Sequence, residues 1–234
     1  MTGLYGLILD VDGVIADTEA INARASIAMF EESFGLKGMV RTDFDKGLGR
    51  GAAAYVRAAA EVHGLELTDA QVSAATEMRQ EKFLAMLNEQ PLPPFEGVLE
   101  LMQEAMSRPD FRVAIATSST REKSEAVLQS AKVPYREITY ITGSDVARKK
   151  PDPELFLTAA LRAGVDPVRC VVIEDAPDGV AAAKAAGARC IAVTNSTTAD
   201  KLAQADWIVA SLAEVDVDSV LKLIEQSERR TGRK

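Results

Sequence analysis

Short runs of branched apolar residues recur along the chain, and most are followed by a stretch of helical length. The runs at 4–9, 113–116, 138–141, 171–173, 190–193 and 207–209 are brief and nearly continuous in apolar character. A strand with one wet face alternates apolar and polar. A continuous run needs apolar surroundings on both faces, as inside a parallel sheet. Helix-length segments at 97–107, 122–131, 154–163 and 179–186 separate most of the runs. This alternation predicts an α/β fold, a doubly wound parallel sheet with right-handed crossovers.

The first connection breaks the rhythm. Between Ala16 and Gln90 no strand pattern occurs, and alanine-rich stretches with apolar spacings of three and four predict helices at 19–34, 52–63 and 69–88. Thr68-Asp69-Ala70-Gln71 has the form of a capping box. Pro91-Leu92-Pro93-Pro94 then stops the last helix and stiffens the return. An insert of this length is too long for a loop and predicts a small helical second domain. The division expected is a core of residues 1–16 and 92–226, an inserted α-helical domain of 17–91, and a frayed tail of 227–234. The tethers near Ala16 and Pro93 would form the hinge.

Composition narrows the chemistry. With 27 basic and 35 acidic residues in 234, the formal charge is −8, which disfavours nucleic acid as a partner. The first apolar run has no basic residue ahead of it and stops at Asp10, too short for a signal peptide or a membrane span. A cytoplasmic monomer acting on a small molecule is expected. The chain has one histidine, His63, and two cysteines, Cys170 and Cys190, so a zinc site built on a histidine pair is excluded. His63 sits at a predicted helix end and both cysteines lie in apolar runs, which makes them structural residues. Chemistry falls to Asp, Glu, Lys, Ser and Thr, and any metal should be hard and bound by oxygen, such as magnesium.

Doubly wound sheets bind ligands beyond the carboxyl ends of their strands. Strand one ends in Asp10-Val11-Asp12-Gly13, strand two in Thr117-Ser118-Ser119, and strand four in Glu174-Asp175; Arg148-Lys149-Lys150-Pro151 follows strand three. Taken singly, each reads as a helix cap, a turn or a solvated basic patch. Together they gather carboxylates at one edge, which repel unless a cation sits among them.

Asp10-x-Asp12-Gly13, Thr117, Lys150-Pro151, and Glu174-Asp175 with Gly179 occur in an order that resembles the haloacid dehalogenase superfamily. More narrowly, the chain is similar to the phosphatase and β-phosphoglucomutase branch, whose helical cap follows the first strand of a Rossmann-like core. The resemblance runs from Leu7 to about Ser211. It implies phosphoryl transfer through an aspartyl phosphate, with Asp10 as nucleophile. Magnesium (Mg2+) would be held by Asp10, Asp175 and the backbone carbonyl of Asp12, with Glu174 acting through water. Lys150 would supply positive charge, and Thr117, Ser118 and nearby amides would hold phosphoryl oxygens. Asp12 would protonate the leaving oxygen and then deprotonate the acceptor, a role expected to rest on a protonated carboxyl beside other negative charges.

Lys46-Gly47-Leu48-Gly49-Arg50 resembles the cap loop that closes over a sugar phosphate, with Lys46, Gly47 and Arg50 as candidate substrate contacts. Arg121 is a further candidate cation. Asn22 stands where the mutases commonly carry histidine, and Ala176-Pro177 departs from their serine, so a phosphatase is expected ahead of a sugar-phosphate mutase. A true dehalogenase has no use for Asp12 and the acidic pair. A receiver module is shorter and uncapped, and a dinucleotide-binding dehydrogenase needs a glycine-rich turn where Asp-Val-Asp stands.

Overall fold

The computed structural model describes residues 3–47 and 50–231. Six strands form one sheet: β1 (Tyr5–Leu9), β2 (Phe111–Ala116), β3 (Thr139–Ile141), β4 (Cys170–Glu174), β5 (Arg189–Val193) and β6 (Trp207–Val209). Their order is β3-β2-β1-β4-β5-β6, with every pairing parallel. All residues of β1 and β4 are buried, the condition their unbroken apolar runs predicted.

Successive residues serve opposite faces. Leu7, Leu9, Val113, Ile115, Val171 and Ile173 join one apolar cluster, while Ile8, Ala114, Ala116 and Val172 join the other. The first cluster is closed by α4 (Val98–Ser107), α5 (Arg121–Ser130) and α8 (Val217–Thr231), the second by α6 (Glu154–Ala163) and α7 (Pro177–Ala185). Each large aliphatic side chain so buried contributes roughly 1.5–3 kcal/mol. A slip of one residue in register would exchange large and small side chains between the faces.

The long insert folds as α1 (Glu19–Phe34), a 3-10 helix (Arg41–Gly47), α2 (Ala52–Val62) and α3 (Asp69–Glu89). It gathers its own apolar cluster around Met29, Phe30, Phe44, Val56 and Ala59, with Phe44 stacked on Tyr55 at 4.9 Å. The capping box at Thr68 and Gln71 opens α3. Along α3 the allegiance changes: Val72 and Ala75 belong to the insert's cluster, Phe83 and Leu87 to the sheet's. The two connections meet where the Phe95 amide donates to the Ile15 carbonyl at 2.8 Å.

α8 continues to Thr231, past residue 226 where the core was expected to end, and is anchored upstream by buried Val217, Val220 and Ile224. These residues follow helical spacing and hold α8 against the first face of the sheet. His63 caps the C-terminus of α2 with its Nε2 2.8 Å from Asp43, and Cys170 and Cys190 are free and buried. Among the described residues no helix is long and apolar enough to cross a membrane.

Candidate active site

The sheet changes direction of growth beside β1: β2 and β3 extend one edge, β4 to β6 the other. The carboxyl ends of β1, β2 and β4 therefore splay around a crevice, and the helical insert stands over it. A cavity of about 430 Å³ opens there, lined from the core by Asp10, Asp12, Thr117, Ser118, Lys150 and Asp175. The insert contributes Glu19, Asn22, Arg41, Lys46, Tyr55 and Arg79 to the same cavity.

At its floor, Asp10, Glu174 and Asp175 are buried, and one carboxylate oxygen of each lies within 4.8 Å of the others. Lys150 is also buried, with Nζ 2.8 Å from Asp10 and paired with Glu174. One ammonium against three carboxylates leaves an excess of negative charge that a divalent cation would balance. Burial raises the Asp10 pKa to about 7, with Glu174 and Asp12 adding to the rise and Lys150 opposing it. Burial, with the Glu174 and Asp10 carboxylates beside it, pushes Asp175 well above the usual range. Burial would lower the Lys150 pKa, but Asp10 and Glu174 outweigh it and the ammonium is kept.

The backbone leaves room for this cluster. A Cβ on Gly13 would collide with the Asp175 carboxylate, and one on Gly179 with the Glu174 carboxylate. Glu174 Oε2 accepts from the amides of Asp175 and Ala176, at 3.0 and 3.1 Å, which fixes its head at the start of α7. The donor set is all oxygen, crowded and anionic, and fits a hard divalent ion such as magnesium.

These shifts have a linked consequence. The carboxyls of Asp10 and Asp175 bind protons more tightly in the folded chain than in the unfolded one. The stability they lend is present at low pH and is lost as pH rises through their folded values. Asp12 is shifted the opposite way, and its contribution is lost only as pH falls below about 4. Metal-free protein should therefore melt at lower temperature at pH 8 than at pH 5, and magnesium should flatten that slope. Melting curves across this range with and without magnesium check the expectation, and a metal-free profile that rises toward pH 8 contradicts it.

Asp12 does not face the acidic cluster. Its Oδ1 accepts from Lys123 Nζ at 2.6 Å and from Thr18 Oγ1 at 2.5 Å, and its Oδ2 accepts from Ser119 Oγ at 2.6 Å. Burial alone would raise its pKa, but Lys123, Ser119 and Thr18 outweigh burial and hold it well below the ordinary carboxylate range. The expectation of a resting protonated Asp12 is thus overturned. The carboxyl is ionised because three donors, one of them a cation, converge on it.

The remaining predicted residues divide. Thr117 is buried, and its Oγ1 accepts from the Ser119 amide at 3.1 Å, which leaves its own hydroxyl hydrogen for a ligand. It is not the cap of α5; Thr120 is, accepting from the Lys123 amide. Ser118 lines the cavity with a buried, unpartnered hydroxyl. Lys46, Gly47 and Arg50 line it from the insert, Arg50 being paired with Asp178 of α7. Leu48 and Gly49 lie outside the described residues. Arg121 is not among the cavity-lining residues: it pairs with Asp145 at 2.8 Å and stacks over Tyr140, because the first turn of α5 carries it to the far side.

Lys123, Thr18, Ser119, Glu19 and Arg79 were not predicted to have roles. Arg79 left a signal, since it interrupts the otherwise apolar buried stripe Val72, Ala75, Phe83, Leu87 of α3. Its guanidinium lies over the Tyr55 ring and donates to Asn22 Oδ1 at 3.2 Å. Lys123 left another: a cation in a helix's first turn opposes the helix dipole and asks for a local acceptor.

A doubly wound core thus gathers three carboxylates and a lysine at its strand ends beneath a helical insert. A model of the haloacid dehalogenase-like hydrolases matches residues 6–187, and the chain belongs to that family, as a phosphatase-type enzyme. Protein CbbY of Cereibacter sphaeroides is 31% identical over 224 residues, covering 91% of this chain and 94% of that protein. Hexitol phosphatase A of Escherichia coli is 36% identical over 104 residues, 44% of this chain and 48% of that protein. The crystal structure of CbbY from Rhodobacter sphaeroides in complex with xylulose-(1,5)bisphosphate superposes with a TM-score of 0.82 at 28% identity, covering 93% of this chain and 99% of that one.

Proposed function

We propose that this enzyme is a magnesium-dependent phosphomonoesterase acting on a small sugar phosphate through an aspartyl phosphate on Asp10. The observation that carries the reading is the placement of Asp10 at the end of β1. It is buried against Lys150 and an acidic set that could hold a metal, with Asp12, which accepts from three donors, lining the same cavity. Asp10, Asp175 and the Asp12 carbonyl would hold the ion, with Glu174 ordering its surroundings. When bound, magnesium supplies positive charge that offsets repulsion between the nucleophile and a phosphate dianion.

The chain's own residues supply the rest. Lys150 neutralises charge beside the nucleophile, and the hydroxyls of Thr117 and Ser118 are placed to donate to phosphoryl oxygens. An Asp10 oxygen attacks phosphorus as the ester oxygen departs with the bonding pair; Asp12, ionised at rest, takes a proton from solvent as substrate binds and passes it to that oxygen. Water then attacks phosphorus, its proton passes to Asp12, and the Asp10 carboxylate is released. The ionised Asp12 of the resting structure is in the form that the second step requires.

The size of the cavity and its second rank of polar residues support a substrate with more than a phosphate to recognise. Arg41, Lys46 and Arg79 line its insert side, with Glu19, Asn22 and Tyr55 between them. Cations there suit a second anionic end, and the mixed donors and acceptors suit hydroxyls. The xylulose-(1,5)bisphosphate in complex with the CbbY relative is a molecule of that kind. Lys46→Ala should lower kcat/KM for sugar phosphates about tenfold, the loss of one charged contact, while hydrolysis of p-nitrophenyl phosphate changes less than twofold. Equal losses on the two substrates would remove Lys46 from recognition.

A further inference from the structure

Lys123 belongs to α5, yet its ammonium reaches two different parts of the molecule. On one side it donates to Asp12 Oδ1 at 2.6 Å and to Ser119 Oγ at 3.3 Å. On the other it lies 4.7 Å from the ring centroid of Phe83, a fully buried residue of α3. The same turn of α5 also touches α3 through polar contacts: Thr120 Oγ1 donates to Gln80 at 2.6 Å, and Gln80 Nε2 donates to Glu122 at 2.6 Å. Lys123 thus stands at the seam between the helical insert and the core, and it is itself only 5% exposed.

A buried ammonium is costly unless paired, and its pairing strengthens as water is excluded. Phe83 excludes that water and offers a ring face to the cation. We infer that Lys123 is a positioning residue, seated by Phe83 of the insert, that holds the Asp12 carboxylate ready to accept a proton in the hydrolytic half-reaction. The inference rests on the phosphatase reading above and adds a residue outside the set that the sequence motifs supply. With Lys123 in place, Thr18 and Ser119 complete the set of donors and Asp12 has one orientation. Without it, the carboxylate loses that ion pair and can turn toward other partners.

The two half-reactions depend on Asp12 differently. Phosphorylation of Asp10 by an aryl phosphate breaks the ester P–O bond to a leaving group that needs no proton. In dephosphorylation, water forms the new P–O bond, its proton goes to Asp12, and the acyl-phosphate P–O bond breaks with its electron pair returning to Asp10. Losing Lys123 therefore slows the second step selectively.

Acid-quenched rapid mixing with p-nitrophenyl phosphate and magnesium, read by intact-protein mass spectrometry, separates the two steps. Lys123→Met should slow dephosphorylation about 30- to 100-fold, within the range of one proton-transfer group, with phosphorylation slowed less than fivefold. Phosphorylated protein should accumulate. Lys123→Arg should restore dephosphorylation to within a few-fold, and Phe83→Leu, which keeps apolar volume, should shift the partition in the same direction as Lys123→Met. If both steps slow equally in Lys123→Met and Phe83→Leu leaves the partition unchanged, the inference is overturned while the phosphatase reading stands. If the unsubstituted protein turns over without any trapped phosphorylated form, the aspartyl-phosphate reading falls and this inference with it.

Discussion

Replacing Asp10 with asparagine should abolish turnover and leave the fold in place. The amide matches the carboxylate in size, so the packing of β1 against β2 and β4 is undisturbed. Its nitrogen and oxygen are poor nucleophiles toward phosphorus, and loss of a covalent nucleophile typically costs about 10⁴-fold or more. The substitution also removes one of three crowded carboxylates, whose neighbours already raise the proton affinity of Asp10. Metal-free Asp10→Asn should thus melt at or above the temperature of the unsubstituted protein. Circular dichroism melts and phosphate release assays check both halves, and turnover within tenfold of normal would exclude Asp10 as the nucleophile.

Lys150→Met should lose activity as well, but with a loss of stability that Asp10→Asn does not share. Lys150 is 3% exposed and is the cation set among Asp10, Glu174 and Asp175. Methionine keeps much of the stem's volume and its contact with Phe156, over whose ring the ammonium lies at 5.1 Å. What is lost is the charge, and breaking a buried pair costs about 3–5 kcal/mol because its partners stay buried. Magnesium should recover a larger share of stability in this variant than in the unsubstituted protein, since it becomes the main counter-charge. Denaturant unfolding with and without magnesium measures this. A loss below about 1 kcal/mol would show that Lys150 behaves as an exposed ion pair does.

The sheet was legible because both-face burial imposes a continuous apolar run, a signal that survives without knowledge of neighbours. Each predicted strand appears, with ends that agree to within two residues; Arg189 joins β5, for example, by pairing with Val171. The four motif segments were legible because topology places strand ends at one edge. Side-chain partners were not legible in the same way. Asp12 looked like a neighbour of negative charge because it is two residues from Asp10, yet its side chain meets Lys123, more than a hundred residues away. Arg121 and Lys123 are two positions apart on α5, and the turn between them sends one to Asp145 and the other to Asp12. Sequence proximity to a motif pointed to Arg121, and a helix's 100° step per residue turns it away from the cavity that Lys123 lines.

Cavity residues from the insert were the least legible. Glu19, Asn22, Tyr55 and Arg79 come from three helices and converge only when those helices pack over the sheet. Arg79 was readable as a charge inside an apolar stripe; Glu19 was not, because a first-turn glutamate also satisfies a helix dipole. In the structure its Oε2 is buried without a partner, and burial raises its pKa to about 7.

Phosphorus NMR on the magnesium-loaded protein, incubated with a mixture of sugar phosphates and sugar bisphosphates including β-glucose 1-phosphate, tests the central claim most directly. Inorganic phosphate should grow at the expense of one or a few esters, and excess chelator should stop its growth reversibly. Conversion of one ester into another with little free phosphate, or release that continues under chelation, would contradict a magnesium-dependent phosphatase.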